Sequence, residues 1–318
     1  MVGSCSASRI RNRIYAVVVS ETRETSMRKS RDDREDAMLR LTTVGLLMVV
    51  TSVLHAEERS SLDLSIHWKD RMLSVFGEDV PGGEVVIWYL EAYCRPGSTD
   101  RPWGETVIGH ETKLVSASKD GKVIRLKDTL RDGVIVDHEI QADGDTVTFY
   151  LTAHNPTERK SEAHWAQPCM RVDSFTGTDR SDASALVPAY ARKCFLFLDD
   201  KLTRLPTEPW ADKARYVPGQ VYGATGVDRN DLNPRPLSDL IPSNGICGCF
   251  SADEKMILAV AWEPYQEIFQ GVIACMHNDF RVGGLSPGET KKIRGKLYIV
   301  PANVDALVKR YQADFPVE

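Results

Sequence analysis

The stretch from residue 113 to residue 155 restricts the fold more than any other. In KLVSASKDGKVIRLKDTL, two β-rich runs flank Lys119-Asp120-Gly121, and Asp-Gly between such runs marks a hairpin. GVIVDHEIQADGDTVTFYLTAHN repeats the logic. Val134, Val136, His138 and Ile140 alternate with Ile135, Asp137 and Glu139. Asp143-Gly144 reverses the chain, and Val147, Phe149 and Leu151 then share one face. Period-two alternation between turn signals describes antiparallel strands that bury one side.

The same texture recurs in EVVIWYLEAYC (84–94), AHWAQPCMRVDSF, KCFLFLDD, KMILAVAWEPY and QGVIACMH, and in TKKIRGKLYIV after the Pro287-Gly288 turn. In GVIACM both faces are apolar, as in a central strand, so His277 falls where that strand runs out and Asn278-Asp279 begin a loop. Residues 199–247 are dense in Pro, Gly, Asn and Asp; such a run inside a domain is expected to be a surface loop crossing one face. At the end, Val304, Leu307, Val308 and Tyr311 recur at helical spacing behind Asn303, an N-cap residue type. The pattern predicts an all-β fold, a large antiparallel β-sandwich with one short C-terminal helix. No βαβ alternation is visible, which excludes a dinucleotide-binding fold.

The N-terminus is different. Residues 1–37 are polar and charged, as in RKSRDDREDA, and read as a disordered or mis-assigned extension. MLRLTTVGLLMVVTSVLHAEE follows. Arg40, the apolar run Leu41–Leu54 and Ala56 before Glu57-Glu58 have the layout of a signal peptide over 38–56, and the run is short for a membrane span. The expectation is export to the periplasm or beyond, no stable span after processing, and one domain over 57–318. Net charge is -5 without a basic run in the body of the chain, so nucleic acid is not an expected partner. Cys94, Cys169, Cys194, Cys247, Cys249 and Cys275 then lie in an oxidising compartment, which permits up to three disulfides. Free, buried cysteines are the other reading.

No P-loop, G-x-S-x-G, H-E-x-x-H or G-x-G-x-x-G is present. The candidates lie at strand ends. In AHNPTERKSEAHWAQPC, the candidates are His154 and His164 as proton donors to a sugar oxygen, Trp165 as a platform for a pyranose face, and Gln167 as a ligand for hydroxyls. The structural alternative is a turn and a core tryptophan. In AWEPYQEIFQ, Trp262 and Glu263 form an aromatic–acid pair, or a solvated turn beside a packed ring. His277 and Asp279 are the candidates of the third stretch, ACMHNDFRVGGLSPGE. No CxxC pair exists, and zinc held by Cys275 and His277 needs two further ligands, so no metal and no cofactor are expected.

The third stretch also carries a resemblance. In ACMHNDFRVGGLSPGETKKIRGKLYIV, Cys275 on a late strand leads through a loop to Pro287, Gly288 and Glu289 and a final long strand. This resembles the galactose mutarotase-like (aldose epimerase-like) superfamily of β-supersandwich proteins. The catalytic glutamate of that family matches His277 here. The first histidine motif of the family is absent; only His154-Asn155 and His164-Trp165 lie in a comparable part of the chain. The resemblance implies a carbohydrate ligand, with His277 as base, His164 as acid and Trp165 stacking on the sugar. The other reading is a non-enzymatic envelope protein in which these residues complete turns.

Overall fold

The computed structural model describes residues 62–178, 187–209, 220–234, 236–271 and 273–316. The extension and the signal segment, 1–37 and 38–56, lie outside the described residues. No helix among the described residues is long and apolar enough to cross a membrane.

In chain order the first strands are β1 (Ser65–Lys69), β2 (Met72–Phe76), β3 (Glu84–Cys94), β4 (Val107–Ile108), β5 (His110–Ala117) and β6 (Val123–Leu130). Next come β7 (Ile135–Asp143), β8 (Thr146–His154), β9 (Trp165–Arg171), β10 (Cys194–Leu198), β11 (Lys201–Arg204) and β12 (Val221–Gly223). The last are β13 (Ile246–Phe250), β14 (Met256–Glu263), β15 (Tyr265–Gln270), β16 (Cys275–Arg281) and β17 (Thr290–Pro301). The α-helices among the described residues are α1 (Trp103–Thr106), α2 (Asp173–Thr176) and α3 (Val304–Asp314).

Two sheets result. One runs β1-β2-β3-β9-β16-β15-β12, with β4 on β3, and the other β11-β10-β13-β14-β17-β8-β7-β6-β5. The strand pairs are antiparallel. The predicted sandwich and closing helix are therefore present.

The alternation at 134–151 does what its period requires. Ile140 faces Phe149 and Val136 faces Ala153 across β7–β8, and these inward residues join Ile87, Met170, Met276 and Phe280 of the other sheet in one core cluster. His138 also points inward. Its Nδ1 meets Tyr89 Oη at 3.0 Å and its Nε2 meets Asp128 Oδ2 at 3.1 Å, while Tyr93 donates to the same oxygen at 2.6 Å. Strand β14 is apolar on both faces because both are covered. Leu258, Val260 and Trp262 enter the inter-sheet core, whereas Ile257, Ala259 and Ala261 pack with Leu307 of α3. Asn303 Oδ1 accepts from Ala306 N at 3.0 Å, capping that helix as its residue type suggests.

The strand break near 272 differs from the sequence expectation. Strand β15 ends at Gln270, Ile273 is exposed, Ala274 turns with φ 48°, and β16 begins at Cys275. Asn278 and Asp279 are consequently buried residues inside a strand, not the start of a loop. Their polarity suggests a loop, but this strand is covered on both sides.

Candidate functional site

The odd residues of β16, Cys275, His277, Asp279 and Arg281, face away from the core that Met276 and Phe280 enter. Pairing extends this outer face across the sheet. Asp279 lies opposite Glu267 and His277 opposite Phe269 on β15. On β9, Cys169 lies opposite His277 and Trp165 opposite Arg281, and Cys94 and Ala92 of β3 lie opposite Trp165 and Gln167.

This face is covered, yet it is polar. Glu267 and Asp279 are fully buried, and Gln167 and Asp231 nearly so. Its cover is the segment around 229–234, from the Pro- and Gly-rich run. Asn233 N donates to Glu267 Oε2 at 2.8 Å and Asn233 Nδ2 to Gln167 Oε1 at 3.2 Å, while Gln167 Nε2 donates to Glu91 Oε2 at 3.1 Å. Ser98 Oγ and Gln266 Nε2 donate to Asp231 O at 2.8 and 3.1 Å. Burial pushes the Cys94 thiol well above its ordinary range, and the charges of Asp279, Glu267, Asp231 and Glu91 push it further. Burying acids opposes folding unless each is compensated. A concentration of them on one sheet face makes that face a candidate site.

At its edge sits a histidine–carboxylate pair. His164 Nδ1 is 3.1 Å from Asp231 Oδ2, and Arg281 Nη1 donates to the same oxygen at 3.0 Å. Arg281 also donates to Gln266 Oε1. The carboxylate holds the proton on Nδ1 and leaves Nε2 to exchange one. The His164 side chain is 19% exposed and Asp231 6%. Gly284 leaves room for the ring: a Cβ there would stand 2.6 Å from Nε2. The backbone holds His164 in turn, its oxygen accepting from Val282 N and Gly283 N at 2.8 Å each.

The predicted residues fall in four places. His164, Trp165, Gln167, His277 and Asp279 share the outer face. His277 is 2% exposed, stacked on Phe269 with ring centres 4.3 Å apart, and its Nε2 is 3.4 Å from Cys275 Sγ. Trp165 is fully buried among Ala92 and Cys94, behind the half-buried Trp103 of α1 at 6.1 Å. His154 is not with them: it ends β8 in the other sheet, with Nδ1 2.9 Å from Thr290 Oγ1. Trp262 is a core ring between Phe149 and Phe280, 5.1 and 4.7 Å away. Glu263 is exposed and lines a separate cleft of about 690 Å³ with Tyr265 and Tyr311. Of the additional residues, Glu91 and Arg281 carry a readable signal, since each is a charge on a strand between two apolar neighbours. Asp231 and Asn233 had none, because nothing in an aperiodic run says which sheet face it will cover.

No family model matches this chain, and no curated protein does. Among solved structures, it is similar to a galactose mutarotase-like protein from Lactobacillus casei ATCC 334, at 7% identity and TM-score 0.40, over 74% of this chain and 99% of that one. A galactose mutarotase related enzyme from Lactobacillus acidophilus gives 8% identity and TM-score 0.41, over 76% and 98%. An alpha-mannosidase from Enterococcus faecalis V583 gives 6% and 0.42, over 79% of this chain and 30% of that one. The chemistry has to be read from the residues of this chain.

Proposed function

We propose that this protein binds a carbohydrate at the edge of the outer face of the eight-stranded sheet, beside His164, and acts on it through that residue. The observation that carries this reading is the His164–Asp231–Arg281 arrangement at the edge of a buried carboxylate–amide array. Sugar hydroxyls both donate and accept, and Glu91, half-buried at the end of the chain of hydrogen bonds through Gln167 and Asn233, offers them an acceptor. Trp103, tilted at 44° against the buried Trp165, supplies the apolar platform that Trp165 itself is too enclosed to offer. His164 Nε2 gives or takes the proton, and Asp231 fixes its tautomer. His277, enclosed beneath Phe269, does not take part as base in this reading. The layout of residues 38–56 supports export, and the chain after 56 is read as one domain.

Saturation-transfer NMR against mono- and oligosaccharides tests the binding, with polarimetry of each bound sugar testing the chemistry. Wild-type protein should bind at least one sugar, and Asp231→Asn should retain the fold while losing most turnover. No transfer from any sugar to folded protein would end the carbohydrate reading. Binding without turnover would favour the non-enzymatic alternative.

A further inference from the structure

The outer face holds a second cluster that the sugar reading does not use. Cys169 of β9 stands directly opposite His277 of β16 in the register, and Cys275 is two residues before His277 on the same face. The two sulfurs and the imidazole nitrogen lie within 4.8 Å of one another. The three residues are 1–2% exposed. We propose that Cys169, Cys275 and His277 form a binding site for a soft divalent transition metal ion, with zinc as the best fit.

Three features support this. The first is the donor set: two thiolates and an imidazole select zinc or copper over magnesium or calcium, and Cys2His is a set that holds zinc with a fourth position for an exchangeable ligand. The second is the bite. Zinc bonds of about 2.3 Å to sulfur and about 2.0–2.1 Å to nitrogen, spanning the 3.4 Å between Cys275 Sγ and His277 Nε2, subtend about 103°, near the tetrahedral angle. The third is the charge beside the imidazole. Asp279 Oδ1 lies 3.8 Å from Nδ1, too far for a hydrogen bond but close enough for its carboxylate to favour a cation in the cluster.

Space and charge agree. A Cβ on Gly271 would land on Cys275 Sγ and come 3.7 Å from His277 Nε2, so the glycine keeps that flank clear. A divalent ion neutralises two thiolates, which removes the cost of burying them as anions.

Cobalt(II) is the probe. The full chain, reduced and stripped with a chelator, is titrated with cobalt and followed by absorption, then back-titrated with zinc. The expected result is one cobalt per chain, with thiolate charge-transfer and tetrahedral d–d bands, both displaced by zinc. Cys169→Ser and His277→Gln should lose the bands, while Cys194→Ala keeps them. Zinc X-ray absorption on the wild-type protein gives a variant-free readout: a first shell containing two sulfurs supports the site. The proposal is overturned by folded wild-type protein without bands, by bands that survive Cys169→Ser, by a shell of oxygen and nitrogen alone, or by a Cys169–Cys275 disulfide that excludes the metal. None of these readouts depends on sugar binding.

Discussion

Gly284→Ala and Gly288→Ala form a matched pair that isolates the placement of His164. Both glycines occupy left-handed backbone, with φ 71° and 74°, so alanine at either carries a similar penalty of about 1–2 kcal/mol. Their surroundings differ. A Cβ on Gly284 would come 2.6 Å from His164 Nε2, 2.9 Å from its Cδ2 and 3.2 Å from Ser161 O, whereas Gly288 has nothing within 4 Å. Alanine at 284 therefore has to displace the imidazole, and its 3.1 Å contact with Asp231 is lost with it. Losing a partly buried hydrogen-bond partner costs about 1–3 kcal/mol, and because Arg281 still holds Asp231, the lower half of that range applies. Gly284→Ala should then be about 1–2 kcal/mol less stable than Gly288→Ala, roughly 2–8 °C in Tm for a domain of this size. Thermal unfolding of both variants in one buffer measures the difference. Sugar binding should weaken in Gly284→Ala and persist in Gly288→Ala. Equal melting temperatures would refute the placement of the ring against Gly284, and equal sugar binding would remove His164 from the site.

Other perturbations follow from the same packing. Asp128 is buried, which raises its pKa, but His138 and the hydrogen bonds from His138, Thr112 and Tyr93 lower it further, so the net shift is downward. A depressed carboxylate contributes stability that is present above its unfolded pKa of about 3.9 and lost as pH falls through the folded value. Tm should fall more steeply below pH 4 in wild-type protein than in Asp128→Asn, and identical slopes would contradict this. Trp262→Ala removes a ring enclosed by Phe149 and Phe280 and should cost about 3–5 kcal/mol in urea unfolding, with m little changed. Burial pushes the Cys194 thiol up to about 12 and the Cys247 and Cys249 thiols well above their usual range. A thiol reagent should label these three only after unfolding; fast labelling in the native state would show that they are not enclosed as described.

The fold was legible because its signals are local. Asp120-Gly121 and Asp143-Gly144 specify hairpins within a few residues, and the alternation at 134–151 states which side of each strand is buried. Asn303 and the spacing of Leu307 and Tyr311 specify the closing helix in the same way. The site was legible only in part. His164, Gln167 and Asp279 were singled out and do share a face, because each is a polar residue on or beside a strand. His154 and His164 sit at successive strand ends in the sequence, but β8 and β9 belong to different sheets. Asp279 looked like loop because Asn-Asp begins many turns, but β16 continues to Arg281 beneath the 229–234 segment.

Strand period, turn chemistry and helix capping act over two to four residues, so the amino-acid order alone determines that this chain forms antiparallel strands, where they turn and which face each buries. It does not determine what lies across from what. That Asp231 reaches His164 and Arg281, that Asn233 meets Glu267 and Gln167, and that Cys169 stands opposite His277 depends on sheet order and on the path of an aperiodic loop. Those contacts join residues far apart in the chain, and no local preference encodes them. They exist because the two sheets close on one core and leave β9, β16 and β15 adjacent, with their polar faces turned to the same side.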